Sequence, residues 1–303
     1  MRVAITGSSG LIGSAVRESF AGRGWSVTRV VRSAAAGVAS DAVVWHPPTG
    51  PIDGAGLEGH DVVVHTAGAS VAGMWTADRK RRIERSRVQG TQLLATTLAG
   101  LDRKPALFIS LSGMHYYGQR DPDEPITEEA GPGTGFLPEL VGRWETAAVP
   151  AAEAGIRVVN PRLGNVLSPK GGLLATILPI FKLGLGSWFG DGRQIWPWIA
   201  LDDVVGAIEH IVGHSELRGP VNTVAPQAVS NREFTRAVAG AVNRPALFGI
   251  PAFAARLAPG GMADEILLSG ARVVPRKLLD SGYAFRFTDL RTALRAMLRG
   301  QGR

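Results

Sequence analysis

The feature that most restricts this chain is a glycine-spaced turn near its start. Gly7-Ser8-Ser9-Gly10-Leu11-Ile12-Gly13 follows directly on the short apolar run Met1–Thr6. It opens a stretch in which Ile12, Val16 and Phe20 recur at helical spacing. A strand, a glycine turn and a helix in that order predict a βα unit whose helix N-terminus is free to face an anion. Glycines at these points allow the tight turn, the close approach of backbone to a pyrophosphate, and tight helix–strand packing. Ser9, Gly10, Leu11 and Ile12 are the residues whose backbone would lie nearest that ligand, between Gly7 and Gly13.

The rest of the first half repeats the pattern. Trp25–Val31, Ala42–Trp45, Asp61–Thr66 and Ala106–Ser112 read as strands, and one long helix is expected from about Ala77 to Ala99. Asp61–Thr66 is nearly continuous in apolar residues, as in a strand covered on both faces. A helix is expected near Pro138–Ala154, then a strand Ile156–Pro161. Alternating strands and helices predict an α/β fold with a Rossmann-like, doubly wound parallel sheet. The expected division is a dinucleotide domain over 1–163, to which a segment near 195–225 returns. The remainder, 164–303, forms a smaller substrate lobe with a C-terminal domain at about 250–300.

The second strand ends in Val30-Val31-Arg32-Ser33. An NAD site places an acid at this point for the ribose 2′-hydroxyl. Arg32 instead suits a 2′-phosphate by charge, and Ser33 adds a hydroxyl. The expected cofactor is therefore NADP(H) rather than NAD(H). Cysteine is absent, which removes disulfides and thiolate metal sites and suggests a reducing cytoplasm. The N-terminus shows no signal-peptide pattern, and no apolar run reaches the ~20 residues of a membrane span. Net charge is +7, with only five Lys among 33 basic residues. The cluster Asp78 to Arg82 is dense but lacks interleaved aromatics. It reads as a solvated helix face that steers anionic ligands, not as a nucleic-acid site. The expected partner is a small molecule, and nothing in the pattern fixes an oligomeric state.

Several further stretches carry a resemblance. His65-Thr66-Ala67-Gly68, Ser86 to Thr91, Ser110-Leu111-Ser112 and Tyr116-Tyr117-Gly118, together with the glycine turn, resemble the extended short-chain dehydrogenase family, which includes nucleotide-sugar epimerases. Met74-Trp75-Thr76, Gly190 to Gln194, Pro197-Trp198-Ile199, Asp202-Asp203, Val273 to Leu278 and Gly282 to Phe285 are similar to a branch of "epimerase family" proteins that ends in a short domain of unknown function. The resemblance implies that Ala67 and Gly68 lie on the cofactor and that Ser112 binds a substrate oxygen near the nicotinamide. It also places Arg162 and Asn165 at the cleft, although either residue is equally read as packing. In the second lobe, Arg193, Gln194 and Trp198 offer aromatic and cationic contacts to a flat or anionic substrate, with core packing as the alternative for the tryptophans.

Arg87 shares a helical stripe with Ile83, Thr91, Leu94 and Leu98, so it points inward and needs an anionic partner. The cofactor is one candidate, and Asp202 or Asp203 the other. The family's Tyr-x-x-x-Lys pair is missing. It should fall at Phe136 and Leu140 or at Leu137 and Val141, and residues 119–168 contain neither Tyr nor Lys. In that pair, Lys lowers the high pKa of the Tyr hydroxyl so that it can exchange protons near neutrality. Tyr117 or Tyr116 is left as the expected proton donor beside Ser112. The leading expectation is an NADP(H)-dependent oxidoreductase or epimerase-like enzyme with altered acid–base chemistry. The other is an NADP(H)-binding sensor that no longer turns over.

Overall fold

Val3, Ala4, Ile5 and Thr6 are all fully buried, because the strand they form is covered on both faces. Val3 and Ile5 enter one core and Ala4 the other, the two-residue alternation of a pleated strand. This computed structural model describes residues 1–32, 42–45, 50, 52–71, 73–257 and 260–299. Ser33 lies outside the described residues.

The main sheet is built from β1 (Arg2–Thr6), β2 (Ser26–Val31), β3 (Ala42–Val44), β4 (Val62–His65), β5 (Leu107–Ser110), β6 (Arg157–Leu163) and β7 (Gly219–Thr223). Their order is β7-β6-β5-β4-β1-β2-β3, and every pairing is parallel. The short strand Ser112–Gly113 extends this edge by pairing with β6, with Ser112 opposite Arg162. The chain runs outward from β1 through β2 to β3, then returns to β4 on the other side of β1. That reversal opens a crevice at the carboxyl ends of β1 and β4, where α/β sheets bind ligands.

One face of the sheet is covered by helices Leu11–Gly22 and Leu201–Gly213, which bring Val16, Phe20, Val204, Ile208 and Ile211 onto Ile5, Val64 and Ile109. The other face carries Leu94, Leu98 and Ala151 from helices Gly90–Ala99 and Val149–Glu153. Two helices differ from expectation. The segment 77–99 is helical but interrupted by a π turn over Arg85–Gln89. The segment 138–154 is two helices, Phe136–Thr146 and Val149–Glu153. Pro150 explains the second break, since it cannot donate to the carbonyl of Thr146 and its ring crowds that group.

The smaller lobe has its own core of Leu174, Leu178, Trp196, Trp198, Phe234, Leu290 and Leu294. Its elements include helices Gly172–Lys182, Asn231–Ala241 and Leu290–Arg299, and the pairing of Asn165–Ser168 with Trp198–Ala200. The C-terminal segment is sewn back across the main domain. Arg272–Val273 pairs with Pro125–Ile126. Buried Asp203 accepts the backbone N–H groups of Arg286 and Phe287 at 2.7 and 3.0 Å and the Tyr283 hydroxyl at 3.3 Å. We expect Asp203→Ala to lower the unfolding free energy by about 3 kcal/mol, because these donors lose a charged acceptor out of reach of water. Urea denaturation of the two proteins checks this, and a loss under about 1 kcal/mol would show that Asp203 does not anchor the tail.

Candidate active site

The glycine turn divides into positions the fold itself requires and one it does not. Gly7 has φ +65°, and a Cβ there would stand 2.7 Å from Thr66 Oγ1. A Cβ on Gly13 would stand 2.2 Å from the Gly7 carbonyl oxygen. Both must be glycine for the helix to close onto β1 and β4. A Cβ on Gly10 meets only the Gly7 oxygen, at 3.3 Å. The next residues, Leu11 and Ile12, begin the helix. No side chain caps it and no acid stands in its first turn, so its positive end is unopposed. Ser9 and Gly10 are exposed, and Leu11 and Ile12 partly so. Arg32 is exposed just past the end of β2, the strand beside β1.

Past β4, the chain turns at Thr66, whose hydroxyl donates to the Thr6 carbonyl at 2.7 Å. Ala67 and Gly68 follow at the same edge as the glycine turn. The π turn aims Arg87 at this loop. Its Nη1 donates to the Ala69 carbonyl at 2.8 Å, and its guanidinium lies 5.0 Å from the centre of the Trp144 ring. A Cβ on Gly68 would stand 3.4 Å from the same guanidinium. Neither acid expected for Arg87 reaches it: Asp202 pairs with Arg286, and Asp203 holds the tail. Burial draws the Arg87 guanidinium down to about 10. Desolvation, and then the Arg87 charge, hold His65 and His115 at about 4, so both are neutral at pH 7.

Ser112 stands at the head of a buried polar chain. Its Oγ donates to Glu145 Oε1 at 2.6 Å. Arg162 grips the same carboxylate with two bonds, Nε to Oε1 at 2.8 Å and Nη2 to Oε2 at 2.7 Å. Its third nitrogen, Nη1, donates to the Tyr117 hydroxyl at 2.9 Å, and that hydroxyl donates to Asn222 Oδ1 at 2.7 Å. Tyr116 lies flat under Arg162, 3.6 Å from ring centre to guanidinium carbon. Tyr117 is fully buried, with its hydroxyl engaged on both sides. Burial pushes that phenol above its ordinary pKa despite the nearby Arg162. The expectation that Tyr117 donates a proton to substrate is therefore corrected: its hydroxyl ties Arg162 to β7.

Residues 3–224 match the NAD dependent epimerase/dehydratase family, and residues 250–297 match a domain of unknown function, DUF1731. The chain belongs to the NAD dependent epimerase/dehydratase family. This epimerase-family chain is 41% identical to an epimerase family protein of Mycobacterium bovis over 96% of both chains. It is 34% identical to mouse epimerase family protein SDR39U1 over 97% of this chain and 99% of that one. The crystal structure of human epimerase family protein SDR39U1 with NADPH is similar over 99% of each chain, with a TM-score of 0.89 and 29% identity. The NAD complex of UDP-glucose 4-epimerase from Thermus thermophilus shares the fold at 20% identity, with a TM-score of 0.75 over 99% of each chain.

The substrate-side residues expected of this epimerase-family chain separate. Arg162 is buried in the network just described. Trp198 is fully buried, its indole N–H on the Gln227 carbonyl, so it is core of the small lobe and not a ligand surface. Gln194 is also buried and donates to the Phe189 and Leu267 carbonyls, which makes it a tie between the lobe and the C-terminal segment. Arg193 is exposed and Asn165 partly exposed. Sequence reasoning missed Glu145, although it stands on the stripe Leu137, Val141, Glu145, one turn beyond the positions where the Tyr and Lys were sought. It also missed Trp144 and His115. A cavity of about 190 Å³ lies beside His115, Pro138, Asp264 and Glu265. Its two acids are engaged, Asp264 with Arg256 and Glu265 with the backbone N–H groups of Phe136 and Leu137.

Two outcomes follow for this epimerase-family chain. Glu145→Ala leaves the Arg162 guanidinium buried without a counter-charge and should cost about 3–5 kcal/mol in urea unfolding. Ser112→Ala removes one donor and should cost only about 1 kcal/mol. The second outcome concerns pH. A histidine whose folded pKa is depressed gives up stability as pH falls from the unfolded value of 6.5 toward about 4. For His65 the loss should be roughly 1–2 kcal/mol by pH 5. Urea midpoints at pH 7.5 and pH 5 should therefore differ less in His65→Gln than in the wild type, and an unchanged difference would place His65 outside the linkage.

Proposed function

We propose that this chain binds NADP(H) across the carboxyl ends of β1, β2 and β4 and acts on a small molecule as an oxidoreductase or epimerase-like enzyme. The observation that carries the reading is the glycine turn. Gly7 and Gly13 are required by the protein's own packing, whereas a Cβ on exposed Gly10 would meet a single protein atom, the Gly7 carbonyl oxygen at 3.3 Å, so its outer side is left for a ligand, as a pyrophosphate site needs. Human SDR39U1, which is similar over nearly the whole chain, was crystallised with NADPH. In this reading Ser9, Gly10, Leu11 and Ile12 hold the pyrophosphate by backbone, Arg32 meets the 2′-phosphate, and Ala67 and Gly68 lie against the cofactor.

The bound dinucleotide supplies or accepts a hydride. The chain's own part is the proton. Ser112 spends its one hydrogen on Glu145, so it offers a ligand only lone pairs. It therefore accepts from a substrate hydroxyl. As that proton arrives at Ser112 Oγ, the serine's own proton passes to Glu145 Oε1, and Arg162 keeps the carboxylate in place. This resting state suits an alcohol, whereas a free Tyr donor would have suited a carbonyl.

The sensor reading keeps one specific support. Neither Phe136 and Leu140 nor Leu137 and Val141, the two registers at which the family's Tyr and Lys would fall, offers a hydroxyl or an ammonium, and Leu137, Leu140 and Val141 are buried. NADPH fluorescence titration and a screen of small alcohols with NADP⁺, read both as nicotinamide reduction and as inversion at the hydroxyl-bearing carbon, separate the two readings: tight binding with neither change on any alcohol would favour the sensor. NADPH should bind more tightly than NADH by about 1–3 kcal/mol, and Arg32→Ala should remove that difference while sparing NADH. Equal affinities in the wild type would overturn the assignment to NADP(H).

A further inference from the structure

Arg87 is a partly buried cation with no ion pair to an acid among the described residues. Its one hydrogen bond among the described residues is to the Ala69 carbonyl, and Trp144 holds the guanidinium from its face. Glu145, one residue along from Trp144, is fully used by Arg162 and Ser112. His65 and His115 are neutral at pH 7, so neither balances the charge nor adds to it. The network around Ser112 contains one Arg and one carboxylate, which cancel. Among the described residues, the sheet edge that holds the loop after β4 and Ser112 therefore carries one partly buried guanidinium with no carboxylate partner.

A guanidinium in such a place costs free energy unless an anion comes to it. Its position is also prepared. The π turn departs from regular helix at Arg87, and single π turns of this kind gather at functional sites. The Trp144 ring, 5.0 Å from the guanidinium, and the bond to Ala69 hold it in place, and among the described residues Nε and Nη2 have no hydrogen-bond partner. A flat fork of N–H groups matches the two oxygens of a carboxylate.

We propose that Arg87 is the anchor of a substrate carboxylate, so that the site takes a small hydroxy or oxo acid with its reacting carbon toward Ser112. This rests on the NADP(H) reading for the placement of the substrate, and it goes beyond that reading by naming the substrate class. The other source of the same anionic chemistry is a phosphate of the cofactor itself. The two are told apart by which affinity Arg87 controls.

The test is calorimetric titration of NADPH-loaded protein with oxamate, a small carboxylate, and with neutral oxamide. Wild type should bind oxamate and not oxamide. Arg87→Ala should weaken oxamate by about tenfold or more, Arg87→Lys should recover part of the loss, and NADPH affinity should stay within about threefold. Far-UV circular dichroism and thermal midpoints confirm that each variant is folded, and Arg87→Lys carries the comparison if Arg87→Ala is not. Equal binding of oxamate and oxamide, no binding of either to the wild type, or full oxamate affinity in Arg87→Ala would overturn the proposal. So would a loss of NADPH affinity of about tenfold with oxamate unaffected, which would give the anion to the cofactor. Failure of the wild type to bind NADPH would overturn the cofactor reading instead. The carboxylate site would then be judged by the same Arg87 comparison on the protein without NADPH.

Discussion

The arrangement at the carboxyl edge of this sheet hangs on one buried ion pair. Arg162 stands near the end of β6 and Glu145 in the last turn of helix Phe136–Thr146, and they meet through two hydrogen bonds with the Arg side chain 3% exposed. A pair so placed loses much of its Coulombic gain to desolvation, and its value lies in geometry. Arg162 has one nitrogen left over, and it fixes Tyr117. Glu145 has one oxygen that also receives Ser112. The pair therefore decides where the serine hydroxyl points, what the tyrosine can do, and how the helix sits against the strand. Tyr116 completes the packing as a flat floor beneath the guanidinium.

That pair also accounts for how the chain can lack Tyr-x-x-x-Lys and keep an ordered site. In the family's arrangement the helix beside Ser presents a phenol and an ammonium. Here that helix carries carbon side chains at both registers, Phe136 with Leu140 and Leu137 with Val141, and then Glu145, and the charge arrives from two other directions. Arg162 comes from the sheet and Arg87 from the π turn across the cofactor loop. The first is neutralised inside the protein, whereas among the described residues the second is held by a carbonyl and a ring.

The sequence made much of the fold legible, because periodicity and glycine spacing are local signals. The glycine turn, the alternation of strands and helices, and the buried run at β4 all follow from residues adjacent in the chain. The site was legible in part. Ser112 and Arg87 stand where inward-facing polar residues must find partners, but the partners were chosen by packing over long separations. Asp202 and Asp203 are close in composition to what Arg87 needs, yet they sit in the first turn of a helix that faces the tail. Trp198 and Gln194 lie in a motif shared with relatives, and their burial shows that the motif holds the lobe together. Tyr117 follows Ser112 closely enough to suggest chemistry, and only the approach of β7 reveals that Asn222 accepts its hydrogen bond.

The C-terminal segment is the remaining constraint, and it acts on the site from behind. Glu265 accepts the first N–H groups of helix Phe136–Thr146, the helix that carries Trp144 and Glu145. A carboxylate at a helix N-terminus satisfies orphan donors and opposes the positive end of the dipole. Gln194 donates to the Leu267 carbonyl in the same segment, and Asn222, which holds Tyr117, donates to the Val274 carbonyl. Glu128 closes the loop by accepting the backbone N–H groups of both Asn222 and Lys277. The contacts of Glu265, Val274 and Lys277 join the tail to the helix that carries Glu145 and to the strand that carries Asn222, whereas that of Gln194 ties it to the small lobe. The matched C-terminal domain is therefore part of the site's framework: without it the helix loses its cap and β7 loses the partners that orient Asn222. The polar chain that begins at Ser112 thus ends in the backbone of residues well over 100 positions away.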